Sequence, residues 1–277
     1  MRKVQWVLLF ILSATIARAE WAKDAVNAFR DSLGNGQFIL RNFSGEDQVR
    51  AVWKDTALQL DEPRWRTLGV LTIESVKLNG TTLNLSCKRH IVIKDKNDKT
   101  VLYADTQPVE VQIDLRGGDP TEVLPKLKDA LFFPSIDNAL GAIPDSMRRA
   151  VPARIDNKPA AFESKPKPHC DCADKAKPDC EAVPLSSDGM TVPRYVSGDP
   201  PKFSNEAERT KMSGSVDVAL TVDENGRPTN VWVTRPLGKG LDEAAAISVL
   251  SYVFRPATCH GKPVPVFLFV DVPFKVF

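Results

Sequence analysis

Ser215-Val216-Asp217-Val218-Ala219-Leu220-Thr221-Val222 is the stretch on which the fold turns. Val216, Val218, Leu220 and Val222 share one parity, while Asp217, Ala219 and Thr221 share the other. A half-buried strand reads this way, because successive side chains point to opposite faces of a sheet. Asp223-Glu224-Asn225-Gly226 follows as a turn in which Gly226 can take a positive φ. Thr229 to Thr234 is predicted to return as a second strand. Leu241, Ala244, Ala245, Ser248, Val249 and Tyr252 then fall at helical spacing. Asp242 and Glu243 occupy the first turn, where the helix dipole favours acids, and Pro256 is expected to end the helix. Val264 to Phe274 is the predicted third strand.

The two prolines of that third strand carry information about its edges. Pro265 and Pro273 share a parity and have no N–H, and proline is tolerated in a strand where the N–H would face an unpaired edge. The odd positions 265 to 273 are therefore expected to face outward and the even positions 264 to 274 to pair inward. Val266, Phe267, Leu268, Phe269, Val270 and Asp271 form the candidate partner-binding edge, with Phe267, Phe269 and Asp271 offering free donors to a guest strand. The competing expectation is that the prolines only blunt an unused edge.

The order and spacing of several short pieces resemble a known family. They are Lys211-Met212-Ser213-Gly214-Ser215-Val216, Val222-Asp223-Glu224-Asn225-Gly226-Arg227, Val231-Trp232-Val233, Gly240-Leu241-Asp242 and Ala244-Ala245-Ala246. Tyr252-Val253-Phe254-Arg255-Pro256-Ala257 and Gly261-Lys262-Pro263-Val264 complete the set. Together they are similar to the C-terminal domain of the TonB family, over residues 202–277. The resemblance implies a ββαβ module that captures a partner peptide by strand addition. In the family the partner is the N-terminal box of an outer-membrane transporter, and the module relays force from a proton-driven motor of the inner membrane. The family's aromatic-proline pair stands here as Phe203-Ser204, and the apolar run near the N-terminus has no histidine. The family's transducers keep an uncleaved anchor and do not carry an N-terminal β domain.

That apolar run, Val4 to Ile16, follows the basic head Arg2-Lys3 and precedes Ala17-Arg18-Ala19, a small-x-small cleavage site. It is about 13 residues long, short of the ~20 needed to span a bilayer. Residues 1–19 are expected to be a signal peptide cleaved after Ala19, giving a periplasmic or cell-envelope protein; the alternative is a retained inner-membrane anchor. Without Arg2, Lys3 and Arg18 the formal charge of +2 becomes −1, which gives no basic field for nucleic acid.

Residues 20–150 are predicted to form a β-rich domain of unassigned role. Trp21, Ala25, Ala28, Phe29 and Leu33 mark a helix stopped at Gly34-Asn35-Gly36, and Gln37 to Phe43 is a short strand candidate. Leu68 to Leu78 and Thr82 to Ile93 flank Asn79-Gly80, a hairpin signal. Leu83, Leu85 and Cys87 share a parity, as do Val109, Val111, Ile113 and Leu115. Asp119 and Pro120 announce a helix from Thr121 to Phe132. Residues 151–201 hold nine of the 21 prolines and read as an extended linker. The fold class expected for the whole chain is α+β.

Of the five cysteines, Cys87 reads as a buried small hydrophobe. Cys170, Cys172, Cys180 and Cys259 are the disulfide candidates, pairing as 170–180 with 172–259 or as 172–180 with 170–259. A metal set drawn from His169, these four cysteines and His260 is the alternative, with Cys-Asp-Cys spacing against it. No nucleophile elbow, phosphate loop or metalloprotease helix motif is present, and His90 reads as a structural strand histidine. No enzyme activity, cofactor or metal is therefore expected. The expected function is a cell-envelope protein that captures extended segments, in transport across the outer membrane. The alternative is a secreted or periplasmic adaptor or homodimerising protein without a transport role.

Overall fold

A computed structural model describes residues 20–94, 100–144 and 189–275. The signal-like run, most of the linker, and His169, Cys170, Cys172 and Cys180 lie outside the described residues. No helix among the described residues is long and apolar enough to cross a membrane.

The N-terminal half opens with a helix over 20–33, whose core face is Val26, Phe29 and Leu33. Trp21 and Ala28, expected on that face, are exposed. The apolar spacing admits two adjacent stripes, and the sheet takes the one through Val26. The strands that follow are β1 (Gln37–Phe38), β2 (Gln48–Lys54), β3 (Ala57–Leu60), β4 (Trp65–Thr67), β5 (Gly69–Asn79), β6 (Thr82–Lys94) and β7 (Thr100–Asp114). Six of them form one sheet in the order β1-β5-β6-β7-β2-β3, with β2 and β7 parallel and the other neighbours antiparallel. The predicted strand over 37–43 shrinks to β1, because Leu40 bridges to Phe132 and Ser44 to Arg66 instead of extending the ladder. Leu83, Leu85, Cys87, Val109, Val111 and Ile113 are fully buried, as their alternation requires. A helix from Pro120 to Leu131 covers them with Leu124, Leu127 and Leu131; the Asp119 carboxylate caps it by accepting from the Thr121 N–H at 2.9 Å.

The C-terminal half contains β8 (Met190–Thr191), β9 (Arg194–Ser197), β10 (Gly214–Val222), β11 (Pro228–Arg235), β12 (Val253–Arg255), β13 (Ala257–Cys259), β14 (Lys262–Val264) and β15 (Val266–Phe274). Between β11 and β12 runs the Leu241–Leu250 helix. Val216, Val218, Leu220 and Val222 pack under that helix against Ala245, Ala246 and Val249. The chain as a whole is α+β, and its C-terminal half has the expected ββαβ order.

Four expectations need correction here. The helix stops at Leu250, not at Pro256, because Val253–Arg255 pairs with β9 and the Phe254 N–H donates to the Gly226 carbonyl at 2.9 Å. The predicted third strand is two strands, β14 and β15, that meet at Pro265, because β14 pairs with β13 whereas β15 pairs with β10. The structured part begins upstream of residue 202, because β8 pairs with β13 and β9 with β12. Finally, the odd face of β10 is not solvated: Ala219 is fully buried and Thr221 nearly so.

The cause of that last correction is the N-terminal half. Ala219, Trp232 and Phe267 on the odd face of the C-terminal sheet pack with Ile39, Phe43, Leu68, Val70, Ala139 and Ile143. Strand β4 departs from the N-terminal sheet and joins the other one, whose order is β15-β10-β11-β4. Val231, Trp232 and Val233 lie opposite Trp65, Arg66 and Thr67 in parallel register. The two halves are thus one continuous packing unit.

Candidate functional site

The C-terminal sheet has two edge strands, β4 and β15. The far side of β4 is engaged by the Ser44↔Arg66 bridge, with the Gly45 N–H donating to the Trp65 carbonyl and the Thr67 N–H to the Phe43 carbonyl. Among the described residues no strand pairs with the outer side of β15. The pairing with β10 runs over nine consecutive residue pairs, from Gly214↔Phe274 to Val222↔Val266, without a register shift. Alternation of the backbone donors is therefore uninterrupted along β15. Pro273 has no N–H to give to β10 and lies opposite Ser215. By the same parity the N–H groups of Phe267, Phe269 and Asp271 point away from β10. Leu268, Val270, Val272 and Phe274 hold the strand to its neighbour.

The side chains divide along the same parity. Val266, Val272 and Phe274 are buried in the module core, and Leu268 and Val270 are half-buried against it. On the opposite face Phe267 is half-buried against the N-terminal half, Phe269 is 58% exposed, and Asp271 is exposed. The Phe267 and Phe269 rings meet edge to face with centroids 4.9 Å apart. The six sequence-predicted residues therefore lie together on one sheet edge, and both faces of that edge carry apolar surface.

The surroundings are held by polar groups that sequence reading only partly anticipated. Asp242 is buried, and its carboxylate accepts from the Leu237 N–H at 2.6 Å and the Gly238 N–H at 3.1 Å. It thus closes the loop between β11 and the helix as well as sitting in the first turn. Ser204, standing where the resemblance would place proline, caps the Asn205–Arg209 helix by accepting from the Ala207 N–H at 3.1 Å. Phe203 beside it meets Phe274 edge to face at 5.3 Å. Gly226 has a φ of 78°, and a side chain there would strike the Phe254 carbonyl.

What the sequence reading missed is Trp65. It is 1% exposed and belongs to the core of the C-terminal module, although it comes from the N-terminal half. Arg89, also buried, lies over the indole at 5.9 Å and donates to the Glu46 carbonyl. Arg64 donates to the Glu46 carboxylate at 2.6 Å. Glu243, in the first turn of the C-terminal helix, lies within electrostatic reach of this group. Burial pushes its carboxyl above the usual range; Asp47 pushes the same way, and Arg89 and Arg64 oppose.

An acid whose folded pKa is raised weakens the fold once ionised, so the contribution of Glu243 to stability grows as pH falls through the folded value. Glu243→Gln is expected to stabilise the protein at neutral pH, by less than about 1 kcal/mol for a half-exposed group. It should also flatten the gain in stability on acidification just above the ordinary Glu range, as read from urea unfolding at a series of pH values.

An open cleft of about 750 Å³ lies along the seam between the halves, lined by Arg41, Phe43, Arg66, Asn230 and Trp232 among others. Its polar groups are engaged locally. Arg66 pairs with Glu62, and the Trp232 Nε1–H donates to Asn230 Oδ1 at 3.1 Å. The cysteines divide as follows. Cys87 is a free, fully buried thiol whose pKa desolvation pushes up to about 12. Cys259 is buried on β13, opposite Met190 of β8; its pairing with Cys170, Cys172 or Cys180 stays an expectation. The His90 imidazole lies 2.9 Å from the Thr72 hydroxyl, a cross-strand contact inside the N-terminal sheet.

Residues 199–276 match the family model described as the Gram-negative bacterial TonB protein C-terminal. Among solved structures, the chain is similar to the solution NMR structure of the Pseudomonas aeruginosa TonB C-terminal domain. That match has 19% identity, covers 35% of this chain and 96% of that one, and has a TM-score of 0.27. No curated protein matches the chain.

Proposed function

Because residues 199–276 are a TonB C-terminal domain, we infer that this is a cell-envelope protein whose last strand captures an extended segment of a partner protein. The observation that carries this reading is the position of β15, an edge strand with no strand on its outer side among the described residues, whereas the other edge strand, β4, is engaged by residues 43–45. Strand addition draws its affinity from main-chain hydrogen bonds and its specificity from alternate side chains. Val266, Phe267, Leu268, Phe269, Val270 and Asp271 supply both. The outward N–H groups of 267, 269 and 271 are the donors, and half-buried Leu268 and Val270 are apolar surface for a guest to cover. An outer-membrane transporter presenting an extended N-terminal segment is the partner the domain type favours. The function is binding rather than catalysis, and the N-terminal half serves it by covering one face of the sheet and closing the β11 edge.

Hydrogen exchange on the full chain, with and without a transporter N-terminal peptide, tests this. The amides of Phe267, Phe269 and Asp271 are expected to exchange fast alone and to slow by about tenfold or more at saturating peptide, as for newly formed hydrogen bonds. Slow exchange at all three in the free protein would show the edge to be already closed and would end the proposal.

A further inference from the structure

We propose that the β15 edge selects segments carrying a basic side chain opposite Asp271, with a large apolar side chain two residues away on the same face. The inference rests on strand capture at β15 and specifies the guest.

Its basis is a charge conflict built into the sheet. Asp271 on β15 lies directly opposite Asp217 on β10. Like charges at directly opposed positions repel, because their Cβ atoms are only about 4.5–5.5 Å apart. Asp217 is compensated: its Oδ1 accepts from Arg235 Nη2 at 2.7 Å, a bond made on the β11 side, away from the open edge. Asp271 is exposed and makes no hydrogen bond or ion pair among the described residues. One carboxylate of the pair is thus left over, and it stands on the strand that has a vacant neighbour position.

A guest strand added to β15 places one residue directly across from Asp271. A lysine or arginine there neutralises the leftover carboxylate; a glutamate or aspartate makes a row of three acids across three strands. The same face specifies the next guest position. Phe269, two residues from Asp271, is 58% exposed although its ring edge rests on Phe267. A large apolar guest side chain opposite Phe269 covers it. The pattern is therefore an apolar and a basic residue at i and i+2, on an otherwise strand-forming segment.

Three synthetic peptides test this on the full chain. Each has the core Leu-Thr-Xaa-Thr-Leu between Val-Thr repeats, with Xaa as Lys, Gln or Glu; leucine on both sides of Xaa makes the result independent of strand direction. Affinities read by fluorescence anisotropy are expected to fall in the order Lys, Gln, Glu, with the Lys peptide about three-fold or more tighter than the Glu peptide. Asp271→Lys should reverse the order and Asp271→Asn should abolish it. Position 271 is exposed, so unchanged urea unfolding curves for both variants exclude misfolding as the cause. Equal affinity for all three peptides, or a Lys preference that survives Asp271→Asn, overturns this inference and leaves strand capture standing. Binding of none of the three overturns both.

Discussion

Replacing Trp65 with alanine is expected to cost about 3–5 kcal/mol, the range for removing a large aromatic side chain from a core. The loss should appear in both halves of the protein as a single unfolding transition. Trp65 is among the largest fully buried side chains, yet it sits in a core made otherwise by the C-terminal module, with Val216, Val231, Leu241 and Ala245. It reaches there on β4, which the N-terminal half extends across to β11. The fit is close on the N-terminal side as well: a side chain at Gly45 would overlap the indole ring. The alanine variant therefore opens a cavity under the module and weakens the strand that joins the halves. Trp65→Phe separates packing from polarity. The indole N–H is buried without a hydrogen-bond partner among the described residues. Phenylalanine removes that unsatisfied donor while keeping most of the apolar area, so the loss should be well below that of alanine. Urea unfolding followed by circular dichroism measures both. A loss under about 1 kcal/mol for Trp65→Ala would show that β4 is not part of the shared core.

The reason Trp65 escaped sequence reading is also the reason it matters. Strand β4 is three residues long and Trp65 lies between Arg64 and Arg66, so no period emerges from its neighbours. Its burial comes from a partner more than 150 residues away in the chain. The same holds for Ala219 and Thr221. They read as the wet side of a half-buried strand because they are small or polar, whereas their small size is what lets the N-terminal half approach the sheet closely. By contrast, Leu83 to Cys87, Val109 to Leu115 and the even residues of β10 were legible. There one core faces one side of a strand, and burial is written as alternation. Strand β2, with Val49, Ala51 and Trp53 buried in alternation, carried the same signal in seven residues and could have been found by it. The last stretch of the expected linker failed differently. Arg194–Ser197 is exposed along its whole length, so its place beside β12 is set by backbone pairing and by the edge-to-face contacts of Tyr195 with Tyr252 and Phe254, neither of which alternation in the sequence reports. The edge position of β15 was legible because proline deletes a donor, and a missing donor reports on the backbone directly.

That backbone argument yields the second large effect. Leu268→Pro is expected to destabilise the protein by about 3 kcal/mol or more beyond Leu268→Ala, while Phe269→Pro should cost less than about 1 kcal/mol beyond Phe269→Ala. The alanine references subtract the side chains, so each difference isolates the backbone. Leu268 lies opposite Leu220, and Phe269 opposite Ala219, in a register without shifts, so adjacent positions must send their N–H groups to opposite sides. Proline at 268 removes a bond to β10 in the middle of the sheet. Proline at 269 removes an N–H that the folded monomer does not use, and what it loses appears only when a guest is present. Guest-peptide affinity of Phe269→Pro should therefore fall about tenfold relative to Phe269→Ala, since one hydrogen bond and its alignment are worth roughly 1.4 kcal/mol. The two readouts are opposed by design: stability should respond at 268 and binding at 269. If the stability loss instead falls at 269, the parity assigned from Pro273 is reversed and the outward donors become those of 268 and 270. If both positions destabilise equally, the N–H of Phe269 is already bonded within the monomer, and β15 is not an open edge.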